Sequence, residues 1–280
     1  MNEDLEPPVL PVEAEGLPPT FLIAFVDELR RSIRPPYEVM VVVACNAGLA
    51  CVLWFFSPTW LYDAMFNVHS LLLFPMVLAM WMFSDVPATN ELGPDRLRMS
   101  AALDDRVMIE RLLRAKHLVL WCLVSPVALI AALLVGLSSH DPVATLLTMG
   151  WILIVPFSML GLSCFIGVRW PYHPIHVRIR WEHRSEWRTM WLRWGILILV
   201  PYLIVPMMGL ISLAPAMGLR WLIQSGHPSG NVDHVAMALG IAASMIIGVT
   251  VWSLGTREAA SLAVHRREEL RAYLAEPMLG

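Results

Sequence analysis

Six stretches of this 280-residue chain contain no Asp, Glu, Lys or Arg: 39–62, 64–84, 117–140, 142–168, 194–219 and 234–256. Crossing ~30 Å of hydrocarbon takes about 20 apolar residues at a helical rise of ~1.5 Å each, and all six stretches are long enough. With 57% hydrophobic and 15% charged residues, the apolar surplus has to face lipid rather than an ordinary soluble core. Lipid offers the backbone no hydrogen-bond partners, so a spanning segment must satisfy its own. The expected fold is all-α integral membrane, with six transmembrane helices.

The basic residues are distributed unevenly between the connecting segments. Arg30, Arg31 and Arg34 precede the first span; Arg96, Arg98, Arg106, Arg111, Arg114 and Lys116 lie between the second and third. Arg169, Arg178, Arg180, Arg184, Arg188 and Arg193 lie between the fourth and fifth, and Arg257, Arg266, Arg267 and Arg271 follow the sixth. Only Arg220 falls on the opposite side. Positive charge is retained on the cytoplasmic face, which predicts a multi-pass protein of the cytoplasmic (inner) membrane with both termini and both large loops in the cytoplasm. Residues 1–4 are acidic and lack the basic-then-apolar pattern of a cleavable signal.

The composition divides the chain into four regions. Residues 1–19 are acidic and proline-rich, the composition of a disordered tail. Residues 20–36 place Leu22, Phe25, Val26, Leu29 and Ile33 on one helical face and Asp27, Glu28, Arg30 and Arg31 on the other. That is the pattern of an amphipathic helix lying on the membrane surface or against a protein partner, and Pro35-Pro36 ends it. Residues 37–256 form the transmembrane domain, and 257–280 a charged C-terminal helix. Pro75, Pro126, Pro156, Pro201 and Pro206 fall within spans, where proline kinks or breaks a helix. Residues 215–233 form an external segment, apolar enough at its start to dip back into the outer leaflet.

Several chemistries are excluded. The single lysine, Lys116, lies between Ala115 and His117, so the chain has no Walker A motif and is not itself a P-loop ATPase. Gly161-Leu162-Ser163-Cys164-Phe165 begins like a nucleophile elbow but lacks the second glycine. His173, His176 and His183 are interspersed with Trp and Arg and read as interfacial histidines, so no metal site is expected. Cys45, Cys51, Cys122 and Cys164 all fall in spans and read as small buried hydrophobes. The spans hold no carboxylate, lysine or arginine, which argues against a chain driven by an ion gradient.

The segment 85–116 carries six basic and six acidic residues between two apolar stretches. Its run Asn90-Glu91-Leu92-Gly93-Pro94-Asp95-Arg96 is followed by a short apolar-containing helix (Leu97, Met99, Ala101, Ala102, Leu103) and then Lys116 at the third span. Together with the order of spans, this resembles the permease subunits of ABC-2 type (type V) exporters, over roughly residues 20–256. The resemblance implies a coupling helix between spans two and three that docks on a separate ABC ATP-binding subunit. Asn90, Gly93, Asp95, Arg96, Leu97, Arg98, Leu103 and Lys116 would carry the coupling. It implies a second permease copy or a paralogue, membrane lipids around the pair, and no nucleic-acid partner.

On this resemblance the chain is not an enzyme and holds no cofactor; ATP and Mg belong to the partner subunit. An amphipathic, drug-like or lipid-like cargo would leave the cytoplasm between the two halves, past Asn46, His69, Ser70 and Tyr202. Each of those groups can equally serve helix–helix hydrogen bonding. The alternative is a non-catalytic integral-membrane scaffold or accessory subunit of a larger complex.

Overall fold

The computed structural model describes residues 17–35, 37–56, 73–83, 89–139, 141–154, 156–171 and 230–276, with isolated positions between 173 and 218. Regular structure among them is entirely helical. The helices are α1 (Phe21–Ser32), α2 (Glu38–Phe56), α3 (Leu73–Phe83), α4 (Arg96–Ala102), α5 (Arg106–Ser139), α6 (Pro142–Ile154), α7 (Pro156–Arg169), α8 (Gly230–His265) and α9 (Arg267–Ala275). Among the described residues, four segments are long and apolar enough to cross a membrane: Val39–Phe56, Arg106–Ser138, Pro142–Arg169 and Ala238–His265. They correspond to the first, third, fourth and sixth expected spans. Of the second, Phe74–Phe83 is a shorter apolar helix. The fifth span and the external segment lie almost entirely outside the described residues, as does the tail before Leu17.

Local chemistry explains where these helices begin and end. Thr20 caps α1, its Oγ1 accepting from the Ile23 amide at 3.3 Å. After Pro35, Tyr37 adopts φ 56°, the left-handed region, and redirects the chain into α2. Asp105 caps α5, with Oδ1 accepting from Val107 N at 2.8 Å and Met108 N at 3.2 Å. Asp141 does the same for α6 through Ala144 N at 2.9 Å. In the fourth span α6 is described to Ile154 and α7 from Pro156, and position 155 lies outside the described residues. The Trp121 indole donates to Leu153 O at 3.0 Å, tying α5 to the end of α6.

The third span departs from its expected limits. Charge alone starts it at 117, but the helix begins at Arg106 and runs for 34 residues, about 51 Å against ~30 Å of hydrocarbon. Arg106–Lys116 is therefore a helical extension of the span rather than loop. Pro126 lies inside this helix without ending it.

Helix α8 crosses α7 at backbone contact. A Cβ on Gly161 would stand 2.6 Å from Val251 O, and one on Gly255 would stand 2.4 Å from Gly161 O. Small residues at a crossing are how helices approach closely where lipid supplies no hydrophobic drive. Around this crossing, one apolar cluster joins α2, α3, α5 and α7 through Val43, Leu78, Phe83, Val124 and Leu160. A second joins α1, α4, α5, α7, α8 and α9 through Ala24, Leu103, Leu113, Val168, Ala263 and Leu270. The second cluster lies at the charged end of the bundle, where α1, α4 and α9 gather.

Replacing Gly161 or Gly255 with Leu forces α7 and α8 apart. A stability loss of about 1–3 kcal/mol is expected, the range for overpacking, read as a lower melting temperature of the purified chain in detergent. Gly48, which has open space where its Cβ would stand, is the matched control; Gly48→Leu leaves the melting temperature unchanged.

Candidate functional site

The segment that leads into α4 is folded into the bundle. Thr89, Asn90, Glu91 and Leu92 are all buried, and Thr89 O sits where a Cβ on Gly167 would stand, 1.6 Å away. Glycine at 167 is what allows the segment to lie on α7. Asp95 occupies the N-cap position of α4 but makes no cap hydrogen bond with its side chain. Its carboxylate is committed elsewhere.

That commitment is an ion-pair network between α1, α4 and α5. Arg31 Nη1 donates to Asp95 Oδ1 at 2.9 Å, and Lys116 Nζ donates to Glu28 Oε1 at 3.0 Å. Arg98 Nη1 lies 3.4 Å from Glu28 Oε2 and 3.7 Å from Asp95 Oδ2, and Lys116 Nζ lies 3.6 Å from Asp95 Oδ2. The Arg98 side chain is only 5% exposed and those of Glu28 and Asp95 14% and 12%, so the charges depend on one another rather than on water. Buried charges persist when paired and are costly when one partner is removed.

Other contacts complete the mount. Arg111 Nη1 donates to Pro18 O at 2.8 Å and Pro19 O at 2.7 Å, fixing the chain before α1. Arg271 of α9 pairs with Asp104 at 2.8 Å, and Arg266 Nη1 donates to Arg169 O at 2.9 Å, satisfying a carbonyl at the end of α7. His173, 2% exposed, stacks on Tyr273 with ring centroids 4.5 Å apart. Its Nε2 donates to Tyr273 O at 2.8 Å, since a carbonyl only accepts. Burial, with Arg96 and Arg193 nearby, holds the His173 pKa below the ordinary histidine range. His173 is thus a buried strut for α9 rather than an interfacial histidine; His176 and His183 lie outside the described residues.

A second polar cluster lies immediately inward. Glu91, His117 on α5 and Cys164 on α7 are 3%, 1% and 0% exposed, and their ligand atoms lie within 4.8 Å of one another. His117 Nε2 abuts Glu91 Oε1. On the other side of the ring, Trp252 of α8 donates its indole N–H to His117 Nδ1 at 2.9 Å. Trp252 packs edge-on against Phe157, ring centroids 5.3 Å apart, and lies 5.6 Å under the Arg114 guanidinium. Four separate elements meet here. Among the described residues, these three form the group with donors arranged to hold a metal.

The eight residues expected to carry coupling are therefore brought together, but they do not share one surface. Asn90, Gly93, Arg98 and Leu103 are buried, and Asp95 and Lys116 sit in the ion network. Arg98 and Leu103 are turned into the bundle and offer nothing to a docked partner. Leu97, 52% exposed, is the one exposed member of the eight, and Arg96 is half-buried. Of the expected cargo residues, Asn46 is half-buried on α2, and His69, Ser70 and Tyr202 lie outside the described residues. Glu28, Arg31, Glu91, His117, Cys164 and Trp252 were missed by sequence reasoning. Glu28 and Arg31 sat on the polar face of an amphipathic helix, where charge is read as solvated. No protein-family model, curated protein or solved structure matches the chain.

Lys116→Met removes the 3.0 Å partner of Glu28 and leaves that nearly dry carboxylate, among the described residues, with only the 3.4 Å contact to Arg98. A loss of about 3 kcal/mol is expected, read as a lower melting temperature in detergent, whereas Arg106→Met, at an exposed position, shifts stability by less than about 0.5 kcal/mol.

Proposed function

We propose that this chain is the membrane-spanning permease subunit of an ATP-driven exporter of the ABC-2 type. The reading has α4 as the coupling helix, α1 as a helix along the cytoplasmic membrane surface, and both termini in the cytoplasm. A second permease copy or a paralogue would complete the pathway, and a separate ABC subunit would bind ATP and Mg. An amphipathic, drug-like or lipid-like molecule would be moved outward between the two halves.

The observation that carries this reading is the mounting of α4. A helix of seven residues could not hold its shape alone in water. Here it is pinned by the Glu28, Asp95, Arg98 and Lys116 pairs, by Arg271 on Asp104, and by buried Met99, Ala102 and Leu103. A solvated loop would need none of this. A short helix rigidly tied to a long spanning helix is suited to passing force from a docked partner into the membrane domain. Leu97 on α4 and Val107 at the start of α5 are exposed, 52% and 62%. Exposed apolar side chains among charges of both signs, Arg106 beside Asp104 and Asp105, suit docking on a partner protein.

The test is affinity purification of the chain under conditions that keep membrane complexes intact. An ATPase carrying a P-loop and an ABC signature is expected to co-purify, and Leu97→Glu combined with Val107→Glu is expected to release it while the chain stays inserted and monodisperse. The substitution reaches the docking face without touching the buried network. Recovery of no such ATPase with the wild-type chain would favour the scaffold reading and overturn this one.

A further inference from the structure

We propose that Glu91, His117 and Cys164 form a binding site for a borderline-soft divalent metal ion, with Zn²⁺ the best match, at the joint between the α4 segment, α5 and α7. The site is independent of the exporter reading. Three donors of the kinds Zn²⁺ favours converge from three elements: a carboxylate oxygen, an imidazole Nε2 and a cysteine Sγ, all within 4.8 Å of one another. The surroundings point the same way. Glu91 Oε1, Glu91 Oε2 and His117 Nε2 are fully buried; Nε2 touches Oε1 out of hydrogen-bond alignment, and the Cys164 thiol is the other group set against the carboxylate. Buried polar atoms are almost always satisfied, and a dry carboxylate held only by a misaligned imidazole and a weak thiol donor is costly.

A divalent cation removes that cost. The carboxylate and a Cys164 thiolate bring two negative charges, the ion two positive ones, and the site closes electrically neutral. Nitrogen and sulfur donors argue against Mg²⁺ and Ca²⁺, which take oxygen ligands. Three protein ligands leave one position of a tetrahedron open. Lys116, next along the chain, is already engaged with Glu28 and Asp95 and does not occupy the site.

Trp252 gives the site a distinguishing property. Its indole N–H donates to His117 Nδ1, so without metal the ring proton is carried on Nε2. Coordination through Nε2 moves that proton to Nδ1, and the Cys164 thiol proton leaves to solvent. Two N–H groups cannot face each other, so Trp252 must give up its bond and shift against Phe157. Metal uptake is in this way tied to the seating of α8.

The experiment is a Co²⁺ titration of the purified full-length chain in detergent, with any affinity tag removed, followed by absorbance. One Co²⁺ per chain is expected, with the visible bands of a tetrahedral ion and a near-ultraviolet thiolate-to-cobalt band, both lost on adding Zn²⁺. Cys164→Ser should abolish the thiolate band, and His117→Gln and Glu91→Gln should each weaken binding at least tenfold. A variant with Cys45, Cys51 and Cys122 all changed to Ala should keep the band. No thiolate band in the wild-type chain, or a band that survives Cys164→Ser, would overturn the proposal and leave the cluster a hydrogen-bonded one. Should Cys164→Ser fail to fold, loss of the band in the triple-cysteine variant overturns it equally, because the signal would then come from the other thiols.

Discussion

The cost of placing charge where water is scarce governs the charged end of this molecule. Glu28 and Asp95 are nearly dry, and their pairing with Arg31, Arg98 and Lys116 makes their burial tolerable. Those five side chains come from α1, α4 and the first turns of α5. The pairing therefore fixes how the surface helix, the short helix and the long spanning helix sit together. Such pairs are weak contributors to net stability when weighed against apolar replacements, but they specify geometry, because a charge displaced from its partner is left uncompensated. Leu103, Met99 and Ala24 then pack under the network as one apolar cluster.

Much of this was legible in sequence, and the failures share a cause. Runs without charge located the apolar helices, because lipid punishes a stray ion regardless of tertiary context. Pro35 marked the end of α1, because proline chemistry is local. The start of α5 was misjudged by the same charge rule. Arg106, Arg111 and Arg114 were read as loop, yet they belong to a helix that outlasts the hydrocarbon, and length rather than composition carries that information.

The inward turn of the 89–98 segment was invisible for a different reason. Charge on a loop is ordinarily solvated, and nothing near Arg98 in the chain announces that its partner is Glu28 on α1. Glu91, His117, Cys164 and Trp252 are likewise scattered over the α4 segment, α5, α7 and α8, with no spacing that a local motif could register. What brings them together is the crossing of α7 and α8 at Gly161 and Gly255 and the clearance that Gly167 gives the segment. Those glycines were present in the sequence, but a glycine in an apolar run does not say which helix will lie on it.

The segment around α4 is a rigid part of the bundle, held by the buried ion pairs, and not a solvated loop. Amide hydrogen exchange of the chain in lipid nanodiscs measures this directly. The account predicts that the amides of Met99–Leu103 exchange at least about tenfold more slowly than free peptide, and that Lys116→Met removes most of this protection while the amides in the middle of α5 keep theirs. Exchange of Met99–Leu103 at the free-peptide rate in the wild-type chain would contradict it.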